Sequence, residues 1–207
     1  MKLPNSEHER HPWRIHEIVR DFTLEDVWAL PTRGGPDDFD RLIELVGSFD
    51  PTKTESRPSR FLWELRDRLG AWFDLGEIST TVDEGEGELA IPGSDEHSLR
   101  GRLPADLRGS TENFDFGALP FVPLYRTDRE AAAEVSNKTV HGVAHLGWVE
   151  RGEDEFQGEM AVYVKPRGIF GRTYMSVIKP FRYWIVYPAL MRQMEQAWNR
   201  RVPLSSA

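Results

Sequence analysis

His141 and His145 stand four residues apart in the stretch NKTVHGVAHLGWV (137–149), and their type and spacing raise the question of chemistry. On a helix this spacing would bring two imidazoles to one face, close enough to share a metal ion. The stretch is instead valine-rich and glycine-broken, and it reads as a β-strand. At about 3.3 Å per residue, the two rings lie roughly 13 Å apart. Zinc–nitrogen bonds are about 2.1 Å long, so the pair is not expected to share a metal. No metal and no cofactor are expected elsewhere. Alternation puts Thr139, His141, Val143 and His145 on one face, with Val140, Ala144, Leu146 and Trp148 on the other.

A third candidate is Glu159, on the next strand across the connector ERGEDE. A histidine–carboxylate pair inside a cavity suits general acid–base work. His141, His145 and Glu159 are therefore the candidate catalytic residues. The competing reading is a cross-strand charge pair at the surface. His16 would approach them only if strand pairing brought it there. The segment KPRGIFGR (165–172) offers Gly168 and Gly171 with Lys165, Arg167 and Arg172 ahead of a helix. A phosphate would suit such a turn, but its spacing matches neither common phosphate-binding fingerprint. A strand-to-helix turn is the favoured reading. No G-x-S-x-G elbow is present, so an α/β-hydrolase reaction is unsupported.

The elements that must position these residues follow from periodicity. Residues 13–22 alternate and suggest a first strand, and TLEDVWAL (23–30) suggests a short helix with a Thr cap. Residues 37–49 carry Phe39, Leu42, Ile43 and Val46 at helical spacing, and 60–73 suggest a further helix. The acidic, Gly-rich 76–97 reads as a long surface loop inserted in a single domain spanning 1–207, and 98–108 as a broken turn or short helix. Prolines in 117–127 indicate an edge strand. Residues 133–149 suggest one bent strand and 155–165 another. In the latter, Phe156, Met160, Val162 and Val164 would meet the core, while Glu155, Gln157, Glu159 and Lys165 would meet water. Residues 169–200 carry an aromatic and methionine stripe, which suggests a long terminal helix kinked at Pro180 and Pro188.

The chain has no cysteine, which excludes disulfides and thiolate chemistry and fits a cytoplasmic setting. The N-terminal residues lack the apolar core of a secretory signal, and no run is long enough for a membrane span. A net charge of −8 disfavours nucleic acid as a partner. The charge is uneven, however: residues 165–201 hold eight Lys and Arg against Glu195 alone. Internal pairing of this basic segment with an acidic body is the favoured reading. A basic face for phosphate or anionic lipid is the alternative.

The segments WRIHEIVRDFTLEDVWALPTRGG, NKTVHGVAHLGWV, MAVYVKPRGIFGRTYM and IKPFRYWIVYPALMRQME resemble the DUF2867 family, a domain of unknown function. That family is in turn similar to the START/Bet v 1-like (SRPBCC, polyketide cyclase-like) superfamily. The resemblance implies an α+β helix-grip fold, in which a curved antiparallel sheet wraps a long C-terminal helix, with extra N-terminal helices here. It implies no catalytic residues. Relatives fused to reductase-like domains imply an accessory role beside a reductase as one partner reading, and a homodimer is another.

The element order leaves a cavity between sheet and helix, suited to a small apolar or amphipathic molecule such as a lipid or polyketide-like compound. Its expected lining is Trp148, Met160, Val162, Tyr174, Phe181 and Trp184, with Arg182 or Tyr187 as polar contacts. Two other functions use the same elements. One is an enzyme of cyclase, dehydratase or isomerase type in the same cavity, and the other is a non-catalytic interaction module.

Overall fold

The computed structural model describes residues 1–48, 98–111, 114, 121–136, 140–167, 183 and 187–200. Its centre is a six-stranded antiparallel sheet in the order β1-β2-β6-β5-β4-β3. The strands are β1 (Lys2–Leu3), β2 (Thr23–Gly34), β3 (Val122–Arg126), β4 (Glu130–Ser136), β5 (Val140–Gly152) and β6 (Glu155–Pro166). The helices are α1 (Asn5–Glu9), α2 (Ile15–Ile18), α3 (Phe39–Gly47) and α4 (Tyr187–Arg200), with short 3-10 turns at Leu99–Arg102 and Ala105–Leu107. The chain is thus an α+β protein.

Two expectations exchange places. The segment expected as a first strand contains α2, and TLEDVWAL is strand, not helix. The reason is burial on both faces: Val27 to Leu30 are all buried in β2, so this part of the strand reads as a continuous apolar run. Such a run cannot be told from a buried helix by periodicity. Pro31 lies where β2 shifts register between Ala29 and Arg33, an irregularity that accommodates a residue without an N–H.

The expected single strand over 133–149 is likewise two, β4 and β5, paired from Glu130↔Gly147 to Ser136↔His141. The helix α3, the edge strand β3 and the hairpin β5–β6 agree with the sequence reading. Asp154, with φ 55°, turns that hairpin. Residues 60–73, 76–97 and 168–182, with their expected helix, loop and phosphate-type turn, lie outside the described residues. So do Pro180 and its expected kink. Pro188 is the second described residue of α4, and residues 184–186, across which its expected kink falls, lie outside the described residues.

Both faces of the central strands are covered along most of their length, the exposed Glu150 to Gly152 and Glu155 lying at the hairpin end. On one face Leu30, Leu146, Trp148 and Phe156 pack with α3 and α4. On the other, Val27, Ala29, Val143 and Ala161 pack beneath Ile15 and Ile18 of α2, with Leu99, Leu103 and Leu107 of the turns. Glu159, expected on a solvated face, is therefore 1% exposed. The covering layer comes from segments distant in sequence, which strand alternation alone does not reveal.

The N-terminus is fixed to the sheet in short steps. The terminal ammonium donates to Ala29 O at 2.8 Å, and Asn5 Nδ2 donates to Leu24 O at 2.7 Å. Arg14 donates both guanidinium nitrogens to Asp106, at 2.6 and 3.1 Å, tying the start of α2 to the second 3-10 turn.

Candidate active site

The hairpin β4–β5 sets a repeated geometry. Glu130 and Glu134 on β4 are four apart, as are His145 and His141 on β5, and all four point to the face beneath α1 and α2. In an antiparallel pair, diagonal neighbours on one face lie within reach of long side chains. Each histidine accordingly takes its own carboxylate. His145 Nε2 lies 2.9 Å from Glu130 Oε2, and His141 Nε2 lies 2.9 Å from Glu134 Oε2. The two histidines thus belong to separate sites.

The His141 site is a closed structural junction. Glu134 also accepts from Leu99 N at 3.1 Å and from the hydroxyl of Ser98, so it anchors the first 3-10 turn to the sheet. Phe22 covers the His141 ring edge-on at 5.0 Å.

The His145 site is different. Glu130 accepts from three sides: His145, the Arg14 backbone N–H at 2.9 Å and the Tyr125 hydroxyl at 2.8 Å. Burial raises its pKa, but these bonds outweigh burial and hold the carboxyl below its usual range. Glu130 is therefore an acceptor, and the proton of a neutral His145 sits on Nε2. Its Nδ1 is left as a bare lone pair, fully buried and without a hydrogen-bond partner. This is an imidazole oriented by a carboxylate with its basic nitrogen free, the geometry that general-base catalysis uses.

Beside it stands a second unit that pattern reading missed. His8 of α1 is 0% exposed, its ring 5.0 Å from that of His145. His8 Nδ1 lies 2.7 Å from Glu159 Oε1, and His8 Nε2 lies 2.9 Å from the Tyr163 hydroxyl. Burial lowers the His8 pKa, against the hydrogen bond to Glu159, and so favours the neutral ring. Burial also raises the Tyr163 pKa, keeping its hydroxyl protonated. The consistent assignment is a directional chain: Tyr163 donates to His8, which donates to Glu159. Glu159 Oε2 lies 3.6 Å from Arg151 yet accepts no hydrogen bond. His16 stands edge-on to His8 at 5.3 Å, with its own Nε2 buried and unpartnered.

Of the candidate residues, His145 and Glu159 come to this cluster, but not as partners. Gly147, rather than His145, stands opposite Glu159, whose hydrogen-bonded histidine is His8. Of the expected pocket residues, the described ones lie on the opposite face. Trp148 is 1% exposed, donates to Gly35 O at 2.9 Å and packs 6.1 Å from Trp198. Met160 and Val162 share its face and are half-buried. Tyr187 is buried and donates to Asp26 Oδ2 at 3.1 Å. The enzyme reading placed histidine or Glu159 in the same cavity as these residues, and the pairing register separates them across the sheet. Tyr174, Phe181, Arg182 and Trp184 lie outside the described residues, as do Gly168, Gly171 and Arg172. Lys165 pairs with Asp21 at 3.1 Å, and Arg167 donates to Ser136 Oγ at 2.6 Å. Among the described residues no three His, Cys, Asp or Glu side chains are arranged to hold a metal. No helix among them is long and apolar enough to cross a membrane.

Glu130 and Glu134 had a signal in the sequence, the four-residue spacing mirrored by His141 and His145. It becomes visible once 130–149 is read as a hairpin. His8 had none, since 151 residues separate it from Glu159.

Comparison with known proteins gives one match. The family described as a protein of unknown function, DUF2867, matches residues 18–189. The matched span includes Glu130, His145, Glu159 and Tyr163, while His8, Trp13 and His16 precede it. No curated protein and no solved structure matches the chain.

Proposed function

The chain belongs to the DUF2867 family, and we propose that it is an enzyme moving a proton on a small amphipathic molecule, of cyclase, dehydratase or isomerase type. The observation that carries this reading is the buried, unpartnered Nδ1 of His145, whose other nitrogen is clamped to Glu130. An unsatisfied buried polar atom costs stability, and such atoms concentrate where a protein does chemistry. In this reading His145 takes the proton, and Glu130 stabilises the imidazolium that forms. The hydrogen-bonded Tyr163–His8–Glu159 chain stands alongside, with the His8 ring 5.0 Å from that of His145. The finer fold we propose is the helix-grip type, with a cytoplasmic setting.

A second reading is a binding protein without turnover, its apolar or lipid-like occupant held between the opposite sheet face and α4. The half-buried Met160, Leu190 and Met191 beside that core favour it. An accessory module beside a reductase, or a homodimer formed through this chain, gains least from the buried acid–base set.

The test is native mass spectrometry of the purified chain, identification of any bound molecule, and incubation of that molecule with the chain in deuterated water. Deuterium incorporation by the wild-type chain, lost in His145→Gln, is the expected result. Retention of the bound molecule with no incorporation would favour the binding protein.

A further inference from the structure

The slot beside His145 is shaped by a missing side chain. Gly147 lies on the covered face, directly between Glu130 of β4 and Glu159 of β6. The ring of Trp13 fills the space: a Cβ at position 147 would sit 2.7 Å from Trp13 Cζ2, 3.1 Å from Cη2 and 3.2 Å from Cε2. The indole is flanked by the rings of His145 at 5.3 Å and of His8 at 6.3 Å, the latter inclined by only 29°. A slot walled by rings and floored by glycine suits a flat aromatic group.

Trp13 is nevertheless a poor polar match to it. Its Nε1–H is buried without an acceptor, although His145 Nδ1 and Glu159 Oε2 both lack a donor. It packs at the margin of the core beside Ile15 and Ile18 and is only half-buried. It lies between helices of five and four residues, too short to be stable by themselves.

We propose that Trp13 is a built-in occupant of the active site, displaced by a planar aromatic molecule that carries a hydroxyl group and no negative charge. This rests on the acid–base reading for the identity of the site and adds the class of molecule it takes. A ring hydroxyl donates where the indole N–H does not, to His145 Nδ1 or Glu159 Oε2, and placed on His145 it is the proton the base removes. An anionic substituent is rejected because Glu130 and Glu159 already flank the slot with little water to screen them.

The probes are 2-naphthol and 2-naphthoate, titrated into the full chain, with calorimetric affinity and the NMR signals of the Trp13 indole N–H and the His145 ring as readouts. The expected results are that 2-naphthol shifts His145, moves the Trp13 indole signal to that of a solvated tryptophan, and binds at least tenfold more tightly than 2-naphthoate. Trp13→Ala removes the internal competitor and should bind 2-naphthol at least tenfold more tightly than wild type. Trp13→Phe, which keeps a ring in the slot, should not. The proposal is overturned if Trp13→Ala binds no better, if 2-naphthoate binds equally well, or if 2-naphthol shifts His145 while Trp13 stays in place. That last outcome leaves the acid–base site standing. If no probe shifts His145 in wild type or in either variant, both the occupant and the site are refuted. The wild-type displacement signal decides the matter even if a variant fails to fold.

Discussion

Gly147→Ala adds one methyl group and removes no charge, yet it strikes the centre of the cluster. Its three nearest neighbours are all atoms of the Trp13 ring, the closest at 2.7 Å. Non-bonded carbons rest at about 3.5–4.0 Å, so the indole must retreat by about 1 Å or swing out of the slot. Overpacking of this kind costs about 1–3 kcal/mol. The cost resides in one pair of side chains, so it should vanish when the partner is gone. In Trp13→Ala, the added methyl should cost less than about 0.5 kcal/mol, the usual limit for uncoupled sites. Urea unfolding of the four chains in this cycle measures the coupling directly. A coupling below about 0.5 kcal/mol would refute the packing of Trp13 on Gly147, and with it the occupant of the slot.

Two further outcomes follow from the same cluster. Glu130→Gln replaces a carboxylate that accepts from His145, Arg14 N–H and Tyr125. It should destabilise the chain by about 1.5–3 kcal/mol, the range for hydrogen bonds to a charged group; an unfolding midpoint equal to wild type would contradict the buried network. The pH dependence has a definite sign. Burial lowers the native pKa of His8 from 6.5, so below pH 6.5 the unfolded chain takes a proton that the folded chain refuses. Stability should therefore be full above that pH and fall as pH drops through it. The slope from His8 is at most about 1.4 kcal/mol per pH unit. The pKa values of His11 and His16 shift the same way, also through burial, and act in the same window. Urea midpoints at pH 7.5 and 5.5 check this, and an unchanged or higher midpoint at pH 5.5 would count against it.

What could be read in the sequence was what local pattern controls. The spacing of Phe39, Leu42, Ile43 and Val46 marked α3, the prolines marked β3 as an edge, and the alternation of β6 was correct in its parity. Parity also separated His145 from Trp148 correctly, since one residue in two reverses a strand face. What it could not supply was the second covering layer. With α2 and the 3-10 turns lying over the histidine face, the polar residues of that face are interior rather than solvated. The same double burial disguised β2, where VWAL reads equally as helix. The half of the site formed by His8 and Trp13 depends on contacts across more than 130 residues, and no local pattern carries these. The slot at Gly147 was hidden too, because a glycine in a strand signals close approach without naming what approaches.

The most direct measurement is a long-range proton–nitrogen NMR spectrum of the imidazole rings, recorded at neutral pH with His145 assigned by substitution. A base poised by Glu130 requires a proton on Nε2 and a bare, pyridine-like Nδ1. A proton resident on Nδ1 of the neutral ring, with Nε2 bare against Glu130, would contradict the assignment of His145 as the base.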